Sequence, residues 1–314
     1  MYIGNGAYCY ANSASMLIKG IGEDIPPSLL EVLSGVGLGV TLYGNGNLFL
    51  HNNTIDPDRG ITNAMRSLGF SFDEKFSDAD VETPPIAELR EVLKTSTAIL
   101  GPVDMGYLKY SPNHMYAKGS DHYVLAYHMD DKYIYVHDPA SFPYVRLAHD
   151  SLDLAWKAAD LPYGRGRYQY WHSIKRVSNP SKEEVYQESL RFFQHLYEET
   201  GEIGATIGAK TGKDAIMAFS EKLVNNEMSQ ELAGNLKYFV LQLGAKRAND
   251  YSLYFEKYNP ILSKLKRKQS EILGLCHSFA AEEDWKGLST VFQEFGKIEE
   301  EFEGEVRNLN VYSA

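Results

Sequence analysis

No run of this 314-residue chain is apolar over the ~18 residues that a membrane span requires. Its first residues, Met1-Tyr-Ile-Gly-Asn-Gly6, have neither the basic start nor the apolar core of a secretory signal, so a cytoplasmic protein is expected. Cysteine is scarce. Cys9 and Cys276 are too few and too far apart for a disulfide framework. Positive charge is in deficit: 31 Lys and Arg stand against 42 Asp and Glu, a net charge of −11. That balance argues against a nucleic-acid surface, which needs clustered Lys and Arg, and is compatible with a cationic small substrate. There is no internal repeat and no low-complexity tract, and no glutamine precedes Cys9.

Hydrophobic content of 44% and charged content of 23% are those of an ordinary globular protein with room for about two domains. Tyrosine is abundant, with 22 residues that suit half-buried sheet positions and pocket linings. The pattern changes near Ser178-Asn-Pro-Ser-Lys-Glu-Glu184. Before it, helical and strand patterns alternate with frequent Gly and Pro; after it, Pro260 is the one proline and apolar spacing is mostly helical. The expected organisation is an α+β catalytic domain over 1–178 and an all-helical domain over 179–314.

In the first part, helices are expected at 9–20, 26–35, 60–69 and 84–94, and strands at 97–103, 122–129, 132–137 and 168–176. In the second, Ser181 and Glu184 have the capping-box form and start a helix to about residue 199. Further helices are expected at 211–225, 229–246, 249–273 and 283–305.

The chemistry concentrates in Gly119-Ser-Asp-His122-Tyr through Val-His-Asp138-Pro, read with Cys9. Two strands joined by a turn at Met129-Asp-Asp-Lys132 would bring His122 beside Asp138, so the carboxylate can orient the imidazole. Cys9 opens a predicted helix, where the macrodipole and the N–H groups of the first turn favour a thiolate and can receive an oxyanion. Nucleophile, base and orienting carboxylate in that chain order form the papain-type arrangement. The same residues also have plain readings: Cys9 as a small buried hydrophobe and Asp138 as a turn residue before Pro139. Strand alternation puts His128 on the face of His122 but roughly 20 Å along, and turns His137 away from Asp138. With no glutamine upstream of Cys9, Asn5 is the one upstream side-chain amide that could complete an oxyanion hole.

Other chemistries find no support. The histidines lack metal-ligand spacing. Ser34-Gly-Val-Gly-Leu-Gly39 has no strand before it and no Lys-Ser/Thr after it, so neither dinucleotide nor P-loop binding is expected, and no cofactor is implied. Cys276, His277 and Trp285 show no partner pattern and read as core or helix-end residues.

Four segments together resemble the two-domain family typified by butirosin biosynthesis protein H. They are Cys9-Tyr-Ala-Asn-Ser-Ala-Ser-Met-Leu17, Glu31-Val-Leu-Ser-Gly-Val-Gly-Leu-Gly39, Pro102-Val-Asp-Met-Gly-Tyr-Leu-Lys-Tyr110 and the His122 to Pro139 hairpin. The hairpin is also similar to the cysteine-peptidase domains of bacteriocin exporters. The resemblance covers most of 1–178 and, more loosely, the helical remainder. It implies a papain-like fold and an acyltransferase of antibiotic side-chain assembly. Such an enzyme takes an acyl group from an acyl-carrier-protein thioester and passes it to a small amine. It further implies Cys9 as nucleophile, His122 as base and Asp138 as orienter. Asp104, Tyr107 and Tyr110 would line the pocket, with Asp104 as an acidic wall for a cationic acceptor. The helical domain would serve as lid, acceptor platform or oligomerisation element. Two alternatives stand beside it: a cysteine amidase or peptidase, which shares all three residues, and a catalytically silent papain-like binding module, for which the missing glutamine argues. Nothing in the sequence demands an oligomer, though tyrosines and amphipathic helices allow one.

Overall fold

The computed structural model of the chain describes residues 2–4, 6–225 and 227–309. The N-terminal half contains helices α1 (Cys9–Lys19) and α2 (Pro27–Ser34), strands β1 (Thr41–Leu42) and β2 (Leu48–Phe49), helix α3 (Pro57–Ser67) and strand β3 (Phe70–Ser77). There follow α4 (Ile86–Val92), β4 (Ala98–Asp104), β5 (Asp121–Met129), β6 (Tyr133–Asp138), β7 (Phe142–Ala148), α5 (His149–Lys157) and β8 (Arg167–Arg176). The remainder is α6 (Lys182–Thr206), β9 (Lys210–Thr211), α7 (Gly212–Val224) and α8 (Gln230–Asn235), then a π-helical turn over Leu236–Val240 that runs into α9 (Leu241–Phe255), and finally α10 (Pro260–Ala281) and α11 (Trp285–Asn308). It is a mixed α+β protein with antiparallel sheets and a helical C-terminal region.

The chain divides into two compact units. One holds the described residues up to Leu30 together with Pro57–Pro180; the other holds Glu31–Asp56 together with the described residues from Ser181 onward. A single cut near 178 therefore does not describe the organisation, because residues 31–56 group with the helices. Side chains explain why. Arg247 of α9 donates to Glu31 at 2.7 Å and to the Leu50 carbonyl at 3.0 Å, and Asn52 and Asn53 hydrogen-bond with Thr200 of α6.

The first unit is built on a six-stranded antiparallel sheet in the order β3-β8-β4-β5-β6-β7. One core cluster joins Ala98, Leu100, Val124, Ala126, Ile134 and Val136 of the sheet to Leu152, Ala155 and Trp156 of α5. Pro27 at the first position of α2 and the left-handed Gly35 (φ 72°) beyond its end bound that helix as expected. Strands β3 and β7 and helix α5 were not among the expected elements. The turn of the β5–β6 hairpin is held by Asp130, whose Oδ1 accepts the Lys132 and Tyr133 N–H groups at 2.8 and 2.7 Å. A register shift between Ala126 and His128 interrupts the alternation of β5. In consequence Met129, not His128, follows Val124 and Ala126 into the core, and His128 is exposed.

In the second unit, β2-β1-β9 form a small antiparallel sheet. The capping box at Ser181 and Glu184 is present in full. Helix α6 runs to Thr206, past the expected end at 199: Gly204, with no side chain, leaves room for Thr211 and Asn53, so packing keeps the last turn helical. The break expected at 247–248 lies instead at 256–259. Arg247 and Ala248 are buried in the middle of α9, while the Asn259 side chain caps the Ile261 and Leu262 N–H groups and Pro260 opens α10. A single core gathers Leu42, Leu48 and Leu50 with Phe219, Leu273, Cys276 and Phe292. Burial pushes the Cys276 thiol up to about 12, so it is inert packing. Among the described residues no helix is long and apolar enough to cross a membrane.

Candidate active site

Cys9 occupies the first helical position of α1 and is partly exposed. Tyr8 before it adopts the left-handed conformation (φ 54°, ψ 52°) although it is 4% exposed, a geometry that costs a non-glycine residue about 1–2 kcal/mol. That kink turns the chain abruptly into the helix. Asn12, one turn on, donates its amide to the Ala7 and Tyr8 carbonyls and braces the kink from inside. The N–H of Cys9 is among the donors that every α-helix start leaves without an intrahelical partner.

His122 and Asp138 come from neighbouring strands, β5 and β6, and are buried at 6% and 1% exposure. His122 Nε2 donates to Asp138 Oδ1 at 2.6 Å. The same imidazole is hydrogen-bonded to the Cys9 thiol, and with Nε2 engaged by the carboxylate, Nδ1 is the nitrogen left for sulfur. A register shift between Val136 and Asp138 lies at the carboxylate, and another, between Leu100 and Val103, lies opposite the start of β5. Such irregularities re-aim side chains at strand ends.

Burial disfavours the imidazolium, but the Asp138 carboxylate and Cys9 outweigh it and hold His122 well above the ordinary histidine value. Burial likewise opposes the charge on Asp138, yet His122, the Ala140 N–H and Tyr110 together keep its carboxyl below the usual range. Asp138 Oδ1 also accepts the Ala140 N–H at 2.7 Å, and Oδ2 accepts the Tyr110 hydroxyl at 2.8 Å. The residues ahead of Cys9 are laced to the turn behind Asp138. Tyr2 donates its hydroxyl to the Asp138 carbonyl at 3.1 Å and accepts the Ser141 N–H at 3.0 Å, while the Gly6 N–H reaches the Pro139 carbonyl at 3.2 Å. This lacing sets the nucleophile and the carboxylate in register.

A second polar group lies within electrostatic reach of Cys9. Tyr123 is fully buried, and its phenol is held neutral by burial and by the charges of Asp58, Asp121 and Cys9. Its hydroxyl lies 3.3 Å from that of Tyr163, which donates to Asp121 Oδ2 at 2.6 Å. No sequence signal pointed to Tyr163, nor to Asp121 and Tyr123 beyond their place on either side of His122.

The remaining expected site residues fall elsewhere. Asn5 lies outside the described residues. Asp104 is 1% exposed and is no wall for a ligand: its Oδ1 accepts the Gly106 and Gly119 N–H groups at 2.8 and 3.0 Å and shapes the loop after β4. Tyr107, half-buried, packs on the core of the first unit and hydrogen-bonds with Lys118. Tyr110, expected along the pocket, directs its hydroxyl to Asp138 instead. Among the described residues no group of three or more His, Cys, Asp or Glu side chains is arranged to hold a metal.

Residues 206–307 match the family model of the YobF C-terminal domain. Along almost its whole length the chain is similar to the uncharacterized protein YobF of Bacillus subtilis (strain 168). The two are 39% identical over 303 residues, which span 96% of this chain and 96% of that relative.

Proposed function

The chain belongs to the YobF family, and from the site built around Cys9 we propose that it is a cysteine-dependent acyltransferase of papain-like architecture. The observation that carries this reading is the buried His122–Asp138 pair, 2.6 Å apart, with its imidazole hydrogen-bonded to the thiol of a partly exposed cysteine at a helix start. A structural cysteine needs no base, and a base needs no buried carboxylate unless its orientation and charge matter.

The reaction balances with these residues alone. The Cys9 thiolate adds to the carbonyl of an acyl thioester, and the oxyanion that forms is met by the N–H of Cys9. The donor thiol departs with the proton held by the His122 imidazolium, leaving an acyl-Cys9 thioester. One thioester replaces another, so the step is close to neutral in energy. An amine then attacks, His122 takes its proton, and the amide leaves as the Cys9 thiolate re-forms beside the imidazolium. Asp138 remains ionised throughout. The choice of an amine over water as acceptor draws on the resemblance to the butirosin family.

The test is intact-mass spectrometry of the protein incubated with pantetheine thioesters of short acyl chains, with and without a small diamine. Wild type is expected to gain one acyl group at Cys9 and to lose it as amide when the diamine is added. Cys9→Ala should gain none. Loss of the acyl group to water at the same rate with or without diamine would make the protein a hydrolase. No adduct with any thioester, together with alkylation of Cys9 that ignores His122→Ala, would overturn the catalytic reading.

A further inference from the structure

The carboxylate of Asp138 is buried and carries three hydrogen bonds, divided between its two oxygens. Oδ1 receives His122 Nε2 and the Ala140 N–H, and Oδ2 receives the Tyr110 hydroxyl. A carboxylate held by one oxygen alone can rotate about its bond to Cβ, and the imidazole would follow it. Held at both oxygens, it has one orientation. We infer that Tyr110 is a positioning residue: through Oδ2 it fixes the plane of Asp138, and thereby the ring orientation of His122 that turns Nδ1 toward Cys9. The inference rests on the catalytic reading of Cys9 only for its consequence in turnover. The hold on Asp138 itself is independent of that reading.

The position of Tyr110 is itself secured. It follows the short 3₁₀ turn Met105–Tyr107, whose start is tied by Asp104 to the Gly106 and Gly119 N–H groups. Its ring packs on Phe142 of β7, with centroids 5.7 Å apart, and against the core of the first unit. Asp104 therefore acts on the thiol only indirectly, through the loop, Tyr110, Asp138 and His122. Burial and the nearby Asp138 charge raise the Tyr110 phenol well above its ordinary value, which favours the protonated, donating form. A phenol that resists ionisation is suited to hold a carboxylate in its charged form.

A filler of space and a positioning residue give different results. Tyr110→Phe keeps the ring and its contact with Phe142 and removes only the hydrogen bond. The experiment is an NMR titration of the His122 ring nitrogens in wild type, Tyr110→Phe and Cys9→Ala. In wild type and Cys9→Ala, Nε2 should stay protonated and hydrogen-bonded to the carboxylate across the titration, with Nδ1 taking up the second proton as the imidazolium forms. In Tyr110→Phe the carboxylate has lost a donor and is the stronger base. Its protonation should set in about 1–2 pH units higher, from the usual strength of hydrogen bonds to charged groups. The neutral ring should also divide between its two tautomers. Titration curves and tautomers that superimpose on wild type would overturn the proposal.

Should Tyr110→Phe not fold, a ring-fluorinated tyrosine incorporated at position 110 reads the same link with the opposite sign. Its more acidic hydroxyl is the stronger donor, and the protonation of Asp138 should move to lower pH. Alkylation of Cys9 in wild type and His122→Ala separates the two readings. A rate indifferent to His122 removes the catalytic reading and leaves the hold of Tyr110 on Asp138 to be judged by the titration.

Discussion

Ser13 donates its hydroxyl to the main-chain carbonyl of Tyr123 at 3.2 Å, which ties α1 to β5 one turn after Cys9 and one residue after His122. Both residues are buried, and Tyr10 of the same helix packs edge-on against the Tyr123 ring. Nucleophile and base thus belong to elements fastened to each other close to where they meet.

Ser13→Ala should cost only about 0.5–1.5 kcal/mol of stability, as one intramolecular hydrogen bond does. Its effect on Cys9 should be larger than that, because small misplacements of reacting groups are felt steeply in rate. The expected outcome is a several-fold slower reaction of Cys9 with iodoacetamide in a protein whose unfolding midpoint has moved by only a few degrees. Unchanged alkylation would mean that packing alone aligns the helix and the strand.

The His122–Asp138 pair should leave a signature in stability against pH. Asp138, lowered in the fold, adds stability that is present above the ordinary carboxylate value of ~4 and lost as pH falls through the folded value. His122, raised in the fold, adds stability that is fully present below ~6.5 and lost as pH rises through its folded value. The pair therefore contributes most between about pH 4 and 6.5. Urea unfolding of wild type and Asp138→Asn should show the widest gap near pH 5.5, narrowing as the solution becomes alkaline. A gap that is constant with pH would remove the ion pair as its source.

The second unit buries a charged pair of its own. Lys266 Nζ lies 3.9 Å from Glu299 Oε2 and 3.9 Å from the centre of the Phe302 ring, and Glu299 also accepts from Gln269 and Tyr197. Lys266→Met leaves Glu299 buried without its counter-charge and should cost about 3–5 kcal/mol. Adding Glu299→Gln removes the orphaned charge and should restore most of the loss. Equal losses in the single and double variants, by urea unfolding, would show that the ammonium packs rather than pairs.

Gly244 of α9 faces Leu50, and a β-carbon there would stand 3.2 Å from both Cβ and Cγ of Leu50 and press into its Cδ1. Overpacking of this kind costs about 1–3 kcal/mol, against about 1 kcal/mol gained in helix propensity. Gly244→Ala should therefore lose about 1 kcal/mol net, and Leu50→Ala in the same chain should relieve the clash. A higher urea midpoint for Gly244→Ala would mean that residues 31–56 yield to α9 freely.

Local rules carried the sequence reading where a local cause was at work. The turn at Asp130, the cap at Ser181 and the proline and glycine around α2 are signals contained within a few residues, and the β5–β6 hairpin lies where its alternation indicates. Long-range causes left no such mark. Residues 70–77 form an edge strand because Arg176 and its neighbours in β8 lie beside them, a hundred positions away. The shift near His128 depends on the partner strand, so counting in steps of two put that side chain on the wrong face. Of the site, Cys9, His122 and Asp138 could be read from residue type and spacing. Tyr110 could be singled out but not assigned, since its role depends on a carboxylate 28 residues later. The Tyr2 contacts and the Tyr123–Tyr163–Asp121 chain had no signal at all, because isolated tyrosines in a tyrosine-rich chain are not distinguishable by pattern.

The pairing of β1 with β9 has a consequence during synthesis. Thr41 and Leu42 find their partners in Thr211 and Lys210, about 170 residues later. At translation rates of 5–20 residues per second, that interval is on the order of ten to thirty seconds. For most of it the first unit is itself incomplete, since β8 (Arg167–Arg176) is made near the end, while Val40, Leu42, Leu48 and Leu50 wait for helices not yet made. A growing chain of about 200 residues thus holds the apolar β1–β2 hairpin before α7, α9, α10 and α11, which bury it, have been made. That is the stage at which a trigger-factor-like holdase would find its clearest target, and at which a pause or a premature stop would leave the stickiest product.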